Sequence, residues 1–122
     1  MFEPSNKKQG LTRILSAFIN TCKGLSWMTK NEAAFKQELM LSVILIPLTF
    51  TFNISPLEQA ALIISLLFVL FTETLNTSIE AVVDRIGYEY HELSGLAKDL
   101  ASAAVFISMA IAFIIWCVVL WA

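Results

Sequence analysis

Apolar positions Leu11, Ile14, Leu15, Phe18, Ile19, Cys22 and Leu25 recur at three- and four-residue intervals, with Arg13, Ser16, Asn20 and Lys23 between them. That spacing puts the two sets on different faces of one helix, over about residues 8–28. A helix with a basic polar face, followed by a far more apolar remainder, is expected to lie in a membrane surface. Downstream the one-sided face gives way to continuous apolar runs. Leu39 to Phe52 carries no charge, and with Asn31 to Glu38 ahead of it makes a segment of about 20 residues, the length that crosses a bilayer. NISP, Asn53 to Pro56, ends this segment as a turn in which Ser55 and Pro56 open the next helix. A second span is predicted over about 57–83, uncharged from Gln59 to Thr72, and a third over about 96–121, uncharged from Leu100 onward. The pattern predicts an all-α membrane protein with one amphipathic surface helix and three transmembrane helices, forming a single domain over 1–122.

Composition agrees with the pattern. Of 122 residues, 57% are hydrophobic and 15% charged, outside the range of ordinary soluble domains. Six of the eight Lys and Arg (Lys7, Lys8, Arg13, Lys23, Lys30, Lys36) precede residue 37; Arg85 and Lys98 follow the second span, and Thr51 to Glu58 has none. Positive residues stay on the cytoplasmic side, so the N-terminus and the second loop are expected there, with the first loop and the C-terminus across the membrane. The first residues lack the apolar core and cleavage site of a signal peptide, so the mature chain is expected to begin at or near Met1. Cys22 and Cys117 show no metal or redox spacing and read as small hydrophobes.

The chemistry is concentrated at the end of the second span. Glu73, Asn76, Glu80 and Asp84 are three or four residues apart and form one polar stripe on a helix. With Asp84 and Arg85 at the water boundary, Glu80 lies roughly 6 Å and Glu73 roughly 16 Å below Asp84. Glu80 is then within reach of a water-soluble charged ligand, and Glu73 at a depth where a lipid head meets it. Carboxylates inside a membrane are costly and by default functional, which makes Glu73 a candidate general base. Glu32 stands at a level similar to Glu80, and two carboxylates with an open face suit Mg²⁺ together with phosphate. Lys98 and Arg13 are candidates to engage phosphate oxygens across the loop EYHELSGLAKD. Asn76, Ser78 and Ser102 suit interhelical hydrogen bonding as well as they suit a site. Asp84 and Arg85 read first as an interfacial charge pair, and Lys98 and Asp99 also as residues that cap and solvate the third span. No GxxxxGK[ST] or GxGxxG motif occurs, so a nucleotide has to be held by side chains and metal rather than by a glycine-rich loop.

NEAAFKQE (Asn31 to Glu38), ETLNTSIEAVVDRIG (Glu73 to Gly87) and EYHELSGLAKDLASAAV (Glu89 to Val105) resemble the prokaryotic integral-membrane diacylglycerol kinase family, over nearly the whole chain. The resemblance implies a homotrimeric bacterial inner-membrane enzyme with sites shared between subunits, using ATP and Mg²⁺ to convert diacylglycerol to phosphatidic acid, with no nucleic acid involved. It implies Glu73 as catalytic base and Glu32 and Glu80 as metal ligands. It implies Arg13, Asn20, Glu32, Glu80, Glu89, His91, Lys98 and Asp99 around the nucleotide. Arg13, Ala34, Glu38, Glu73, Asn76, Ser102 and Trp116 are implied at the lipid substrate. Better-known members carry an aromatic residue and a tryptophan where this chain has Asn20 and Cys22, and arginines in place of Lys36 and Leu96.

Three other readings stay open on the residues alone. One is an undecaprenol kinase built on the same core. The second is a small proton-coupled transporter, although such exporters usually need four spans. The third is a non-catalytic assembly protein.

Overall fold

The computed structural model describes residues 9–122; Lys7, Lys8 and the start of the surface helix expected at residue 8 lie outside the described residues. Within them the chain is helical throughout: α1 (Gly10–Asn31), α2 (Ala33–Thr49), α3 (Pro56–Ile86) and α4 (Glu92–Trp121). Leu11, Ile14, Leu15, Phe18 and Ile19 of α1 are exposed, so the apolar face read from the sequence has no protein cover.

A single residue separates α1 from α2. Glu32 is extended (φ −112°, ψ 108°), yet its N–H still donates to the Met28 carbonyl at 2.9 Å and its carbonyl accepts from Lys36 N–H at 3.0 Å. The chain therefore bends at Glu32 while both backbone groups of that residue stay hydrogen-bonded. Met28 and Phe35, 3% and 2% exposed, anchor the corner on both sides. The surface helix thus ends three residues later than the sequence pattern suggested.

Helix α2 is shorter than the first span expected over 31–52. Its 17 residues rise roughly 25 Å against a hydrocarbon core of about 30 Å. Pro47 lies inside it, and the backbone turns at Phe50 to Phe52, held by Phe50 N–H to Pro47 at 3.2 Å and Thr51 N–H to Leu48 at 3.0 Å.

Helices α3 and α4 are both long and apolar enough to cross a membrane. The Ser-Pro start of α3 is a capping box: Glu58 N–H donates to Ser55 Oγ at 3.1 Å and Ser55 N–H to Glu58 Oε1 at 3.0 Å. With 31 residues, α3 rises roughly 46 Å, longer than the hydrocarbon core by several turns. The surplus carries the polar stripe. Helix α4 begins at Glu92 rather than near residue 96, so most of EYHELSGLAKD is its first two turns and not a loop. His91 starts it, its Nδ1 accepting the Leu93 N–H at 3.1 Å.

The two long helices run antiparallel along a seam of small polar side chains. Trp116 Nε1 donates to Ser65 Oγ at 3.1 Å. Two turns further along, the Thr72 and Ser108 hydroxyls meet at 2.7 Å, both buried. At the loop end Lys98 Nζ pairs with Asp84 Oδ1 at 2.8 Å. Each hydroxyl also donates to, or shares, a carbonyl one turn back in its own helix, so no polar group in the seam is left unpaired. Such bonds are worth only about 0.6 kcal/mol each on average between membrane helices, so their role is mainly to fix register and allow close approach. Away from the seam, Ile64, Phe106, Phe113 and Ile114 are exposed, as are most large apolar residues of α2 to α4. Surface of this kind is stable only against lipid or another apolar protein face.

Candidate functional site

Glu73 is buried, 8% exposed, on the face of α3 that meets α2. Its carboxyl lies within hydrogen-bonding range of the Glu38 carboxyl, which projects from the second turn of α2. Two carboxylate oxygens cannot hydrogen-bond one another unless a proton lies between them. Glu38 Oε2 is also buried without a hydrogen-bond partner among the described residues. An unpaired buried oxygen of this kind is costly unless a proton, a cation or a hydroxyl from outside the chain completes it. Ser42, one turn along α2, does not serve: its hydroxyl donates to the Glu38 backbone carbonyl at 2.8 Å.

Two further carboxylates, Glu32 and Glu80, lie near enough to Glu73 for charge to be felt between them. Glu32 is presented by the α1–α2 corner and Glu80 by α3, two turns from Glu73. Asn76 lies between, its Nδ2 donating to Glu80 Oε1 at 3.0 Å. Among the described residues, no three His, Cys, Asp or Glu side chains are grouped tightly enough to enclose a metal ion by themselves. The donor chemistry nonetheless fits Mg²⁺, which takes hard oxygen ligands and is usually held by one or two carboxylates plus phosphate rather than by an all-protein cage. Glu32 and Glu80 supply such oxygens, and Glu38 Oε2 shows that the cluster is incomplete without an added partner.

A second polar feature lies at the loop end of α3 and α4. Asp84, Tyr88, Glu89, Tyr90, His91 and Lys98 line a groove of about 240 Å³. Of the residues expected at a nucleotide, the fold brings Glu89, His91 and Lys98 together here. Asp84 pairs with Lys98, 14 residues on, and not with its neighbour Arg85, which corrects the simple interfacial pair suggested by sequence adjacency. Because Nδ1 of His91 accepts from the backbone, Nε2 is the ring nitrogen left to donate. Asp99 is exposed on α4 outside this groove, and Ser102 is exposed one turn beyond Lys98.

Other expected site residues remain apart within one chain. Arg13 and Asn20 are exposed on α1 and do not line the groove at the loop end. Ala34 is exposed beside the Glu32 corner. Trp116 is half-buried, bonded to Ser65 and packed edge-on against Phe52 at 6.4 Å, on the side of the bundle away from the loop groove. The approach of Glu38 to Glu73 follows from no spacing in the sequence, since it depends on how α2 packs on α3. A groove of about 480 Å³ between α1 and α3, lined by Gly24, Leu25 and Met28 on one side and Thr74, Ser78 and Ala81 on the other, was likewise not legible in either helix alone.

Two membrane-length helices, one of them carrying the buried Glu73 carboxyl, with a charged groove at one end, define a helical membrane protein with a polar site at its boundary with water. The chain belongs to the prokaryotic diacylglycerol kinase family, whose model matches residues 19–120. It is 45% identical over 117 residues to a diacylglycerol kinase of Escherichia coli (strain K12), covering 96% of each chain. It is 47% identical over 110 residues to one of Haemophilus influenzae, covering 90% of this chain and 93% of that one. A Pseudomonas aeruginosa diacylglycerol kinase is 40% identical over 117 residues, covering 96% and 95%. Family membership makes the chain a kinase and a membrane protein.

Proposed function

We propose that the protein transfers the γ-phosphoryl group of ATP to the free hydroxyl of 1,2-diacylglycerol, giving phosphatidic acid in the bacterial inner membrane. The observation that carries this reading is the buried Glu73 carboxyl, met by Glu38, on the same helix that carries Glu80 and Asp84 out to the charged loop groove. One helix thereby links lipid depth to the level of a soluble nucleotide. Glu73 accepts the hydroxyl proton as the lipid oxygen bonds to the γ-phosphorus, and the bond to the ADP oxygen breaks. Glu38 and Asn76 hold the reacting hydroxyl and the Glu80 carboxylate in register, with Ser102 and Ala34 nearby. Glu32 and Glu80 hold Mg²⁺, which when bound neutralises charge on the phosphates. Glu89, His91 and Lys98 hold the nucleotide, and Asp99, Arg13, Asn20 and Trp116 act from surfaces that a neighbouring subunit completes. A homotrimer suits this arrangement, because Glu38 Oε2 lacks a partner and the exposed apolar faces of α2 to α4 need cover that one chain does not supply.

Purified protein in mixed micelles, given radiolabelled ATP and Mg²⁺ with diacylglycerol or undecaprenol in separate reactions, tests the reading directly. Labelled phosphatidic acid is expected. Label on undecaprenol alone moves the protein to the polyprenol branch, and label on neither lipid removes the kinase assignment.

We place the whole chain in one domain, with α1 on the membrane surface, α2, α3 and α4 spanning, the N-terminus and Gly87 to His91 cytoplasmic, and the C-terminus periplasmic. A 17-residue α2 crosses if the bilayer thins locally or its Lys36 end stays in the headgroup layer. An alkaline phosphatase fused after Ala122 is expected to be active in intact cells, and one fused within Gly87 to His91 inactive. The reverse pattern contradicts the three-span arrangement.

A further inference from the structure

Tyr88 is 90% exposed, on the short connection between α3 and α4, and nothing in the chain covers its ring. It lines two adjoining grooves at once: the 240 Å³ groove that holds Asp84 and Lys98, and a larger one of about 510 Å³ bounded by Ile86, Leu93 and Ser94. Glu89, Tyr90 and His91 line both as well. The larger groove is of the size that holds small ligands. Tyr88 and Lys98 line the smaller groove together. The ammonium group thus marks where phosphate is held, and the aromatic ring stands beside it with the hydrogen-bonding side chains of Glu89 and His91.

We propose that Tyr88 is a nucleobase-binding residue, its ring stacking on the purine of the phosphoryl donor where the two loop-end grooves meet. This rests on the kinase reading above and extends it to how the base is held. A purine has a π-face that stacks on tyrosine whatever its substituents, and Glu89 and His91 supply an acceptor and a donor for its edge. The competing role for an exposed tyrosine at the end of a membrane helix is an anchor in the headgroup layer. The neighbours favour the nucleotide. Asp84, Glu89, His91 and Lys98 are charged or strongly polar, and the large apolar side chains Ile86 and Leu93 border only the larger groove, whereas an anchor sets the body of its ring among apolar neighbours.

Steady-state kinetics on the full chain in mixed micelles, varying ATP and diacylglycerol separately, tests this. Tyr88→Ala is expected to raise the KM for ATP about tenfold or more, the usual effect of removing a stacked aromatic, with kcat and the lipid KM changed by less than about twofold. Tyr88→Phe keeps the ring and is expected to behave as wild type. Inorganic tripolyphosphate, which has no base, is expected to inhibit wild type and Tyr88→Ala equally. Weaker tripolyphosphate inhibition in Tyr88→Ala overturns stacking in favour of a displaced loop, and a change confined to the lipid KM overturns it in favour of a membrane anchor. An unchanged ATP KM overturns it outright while leaving an active wild type as a kinase. A wild type that turns over no ATP removes the kinase reading and this inference with it.

Discussion

Glu73→Gln is expected to lower kcat by about 10²-fold or more while leaving the affinity for Mg·ATP nearly unchanged. Glutamine matches glutamate in shape and still reaches Glu38, so the packing of α2 on α3 is kept. What is lost is a group able to take the hydroxyl proton, and a positioned general base contributes about 10²- to 10⁴-fold. The nucleotide is spared because the groove holding Glu89, His91 and Lys98 is bounded by Asp84, and Asp84 is roughly 16 Å along α3 from Glu73. Steady-state kinetics give the fall in kcat, and isothermal titration with a non-hydrolysable ATP analogue gives the affinity. If Glu73 only bonds neighbouring helices together, the glutamine does that equally well, and near-normal kcat is the result that removes the base assignment. Equal loss of turnover and of nucleotide affinity points instead to a site disordered as a whole.

The reach of the sequence follows the range of the interactions involved. Local features were legible: the one-sided spacing of Leu11 to Leu25, the Ser55-Pro56 helix start, and the three- and four-residue steps of Glu73, Asn76, Glu80 and Asp84 each depend on residues within a turn or two. Helix ends were less so. Glu32 stands inside an unbroken run of helix-compatible residues, and its bend comes from the burial of Met28 and Phe35 on either side. The start of α4 was placed late because EYHELSG carries loop-like polarity; His91 caps the helix with its ring nitrogen, a role usually filled by Ser, Thr, Asp or Asn. Contacts between helices were out of reach. The pairing of Asp84 with Lys98, of Thr72 with Ser108 and of Glu38 with Glu73 depends on register between elements, which no single-helix periodicity encodes. Within the candidate site, therefore, the identity of the carboxylates was readable and their mutual approach was not.

Glu80→Gln and Glu32→Gln are expected to do the opposite of Glu73→Gln, weakening metal-dependent nucleotide binding with a smaller effect on turnover at saturation. Both substitutions leave local structure in place. The amide oxygen of glutamine at position 80 still accepts from Asn76 Nδ2, which now donates to Glu80 Oε1 at 3.0 Å. The corner at position 32 is held by backbone bonds to Met28 and from Lys36, not by the side chain. Each variant thus removes one negative charge and little else. Loss of even an outer-shell partner costs a metal site about 10- to 100-fold, so the Mg·ATP dissociation constant should rise by at least about tenfold in either variant. Raising the Mg²⁺ concentration should recover part of the binding while one carboxylate remains, and the double variant should recover none. The same titration that follows Glu73→Gln reads this out, with nucleotide affinity measured at several Mg²⁺ concentrations. If Glu80→Gln and Glu32→Gln leave Mg·ATP binding intact while Glu73→Gln abolishes it, then Glu73 stands on the metal side of the site and depth along α3 does not divide the roles.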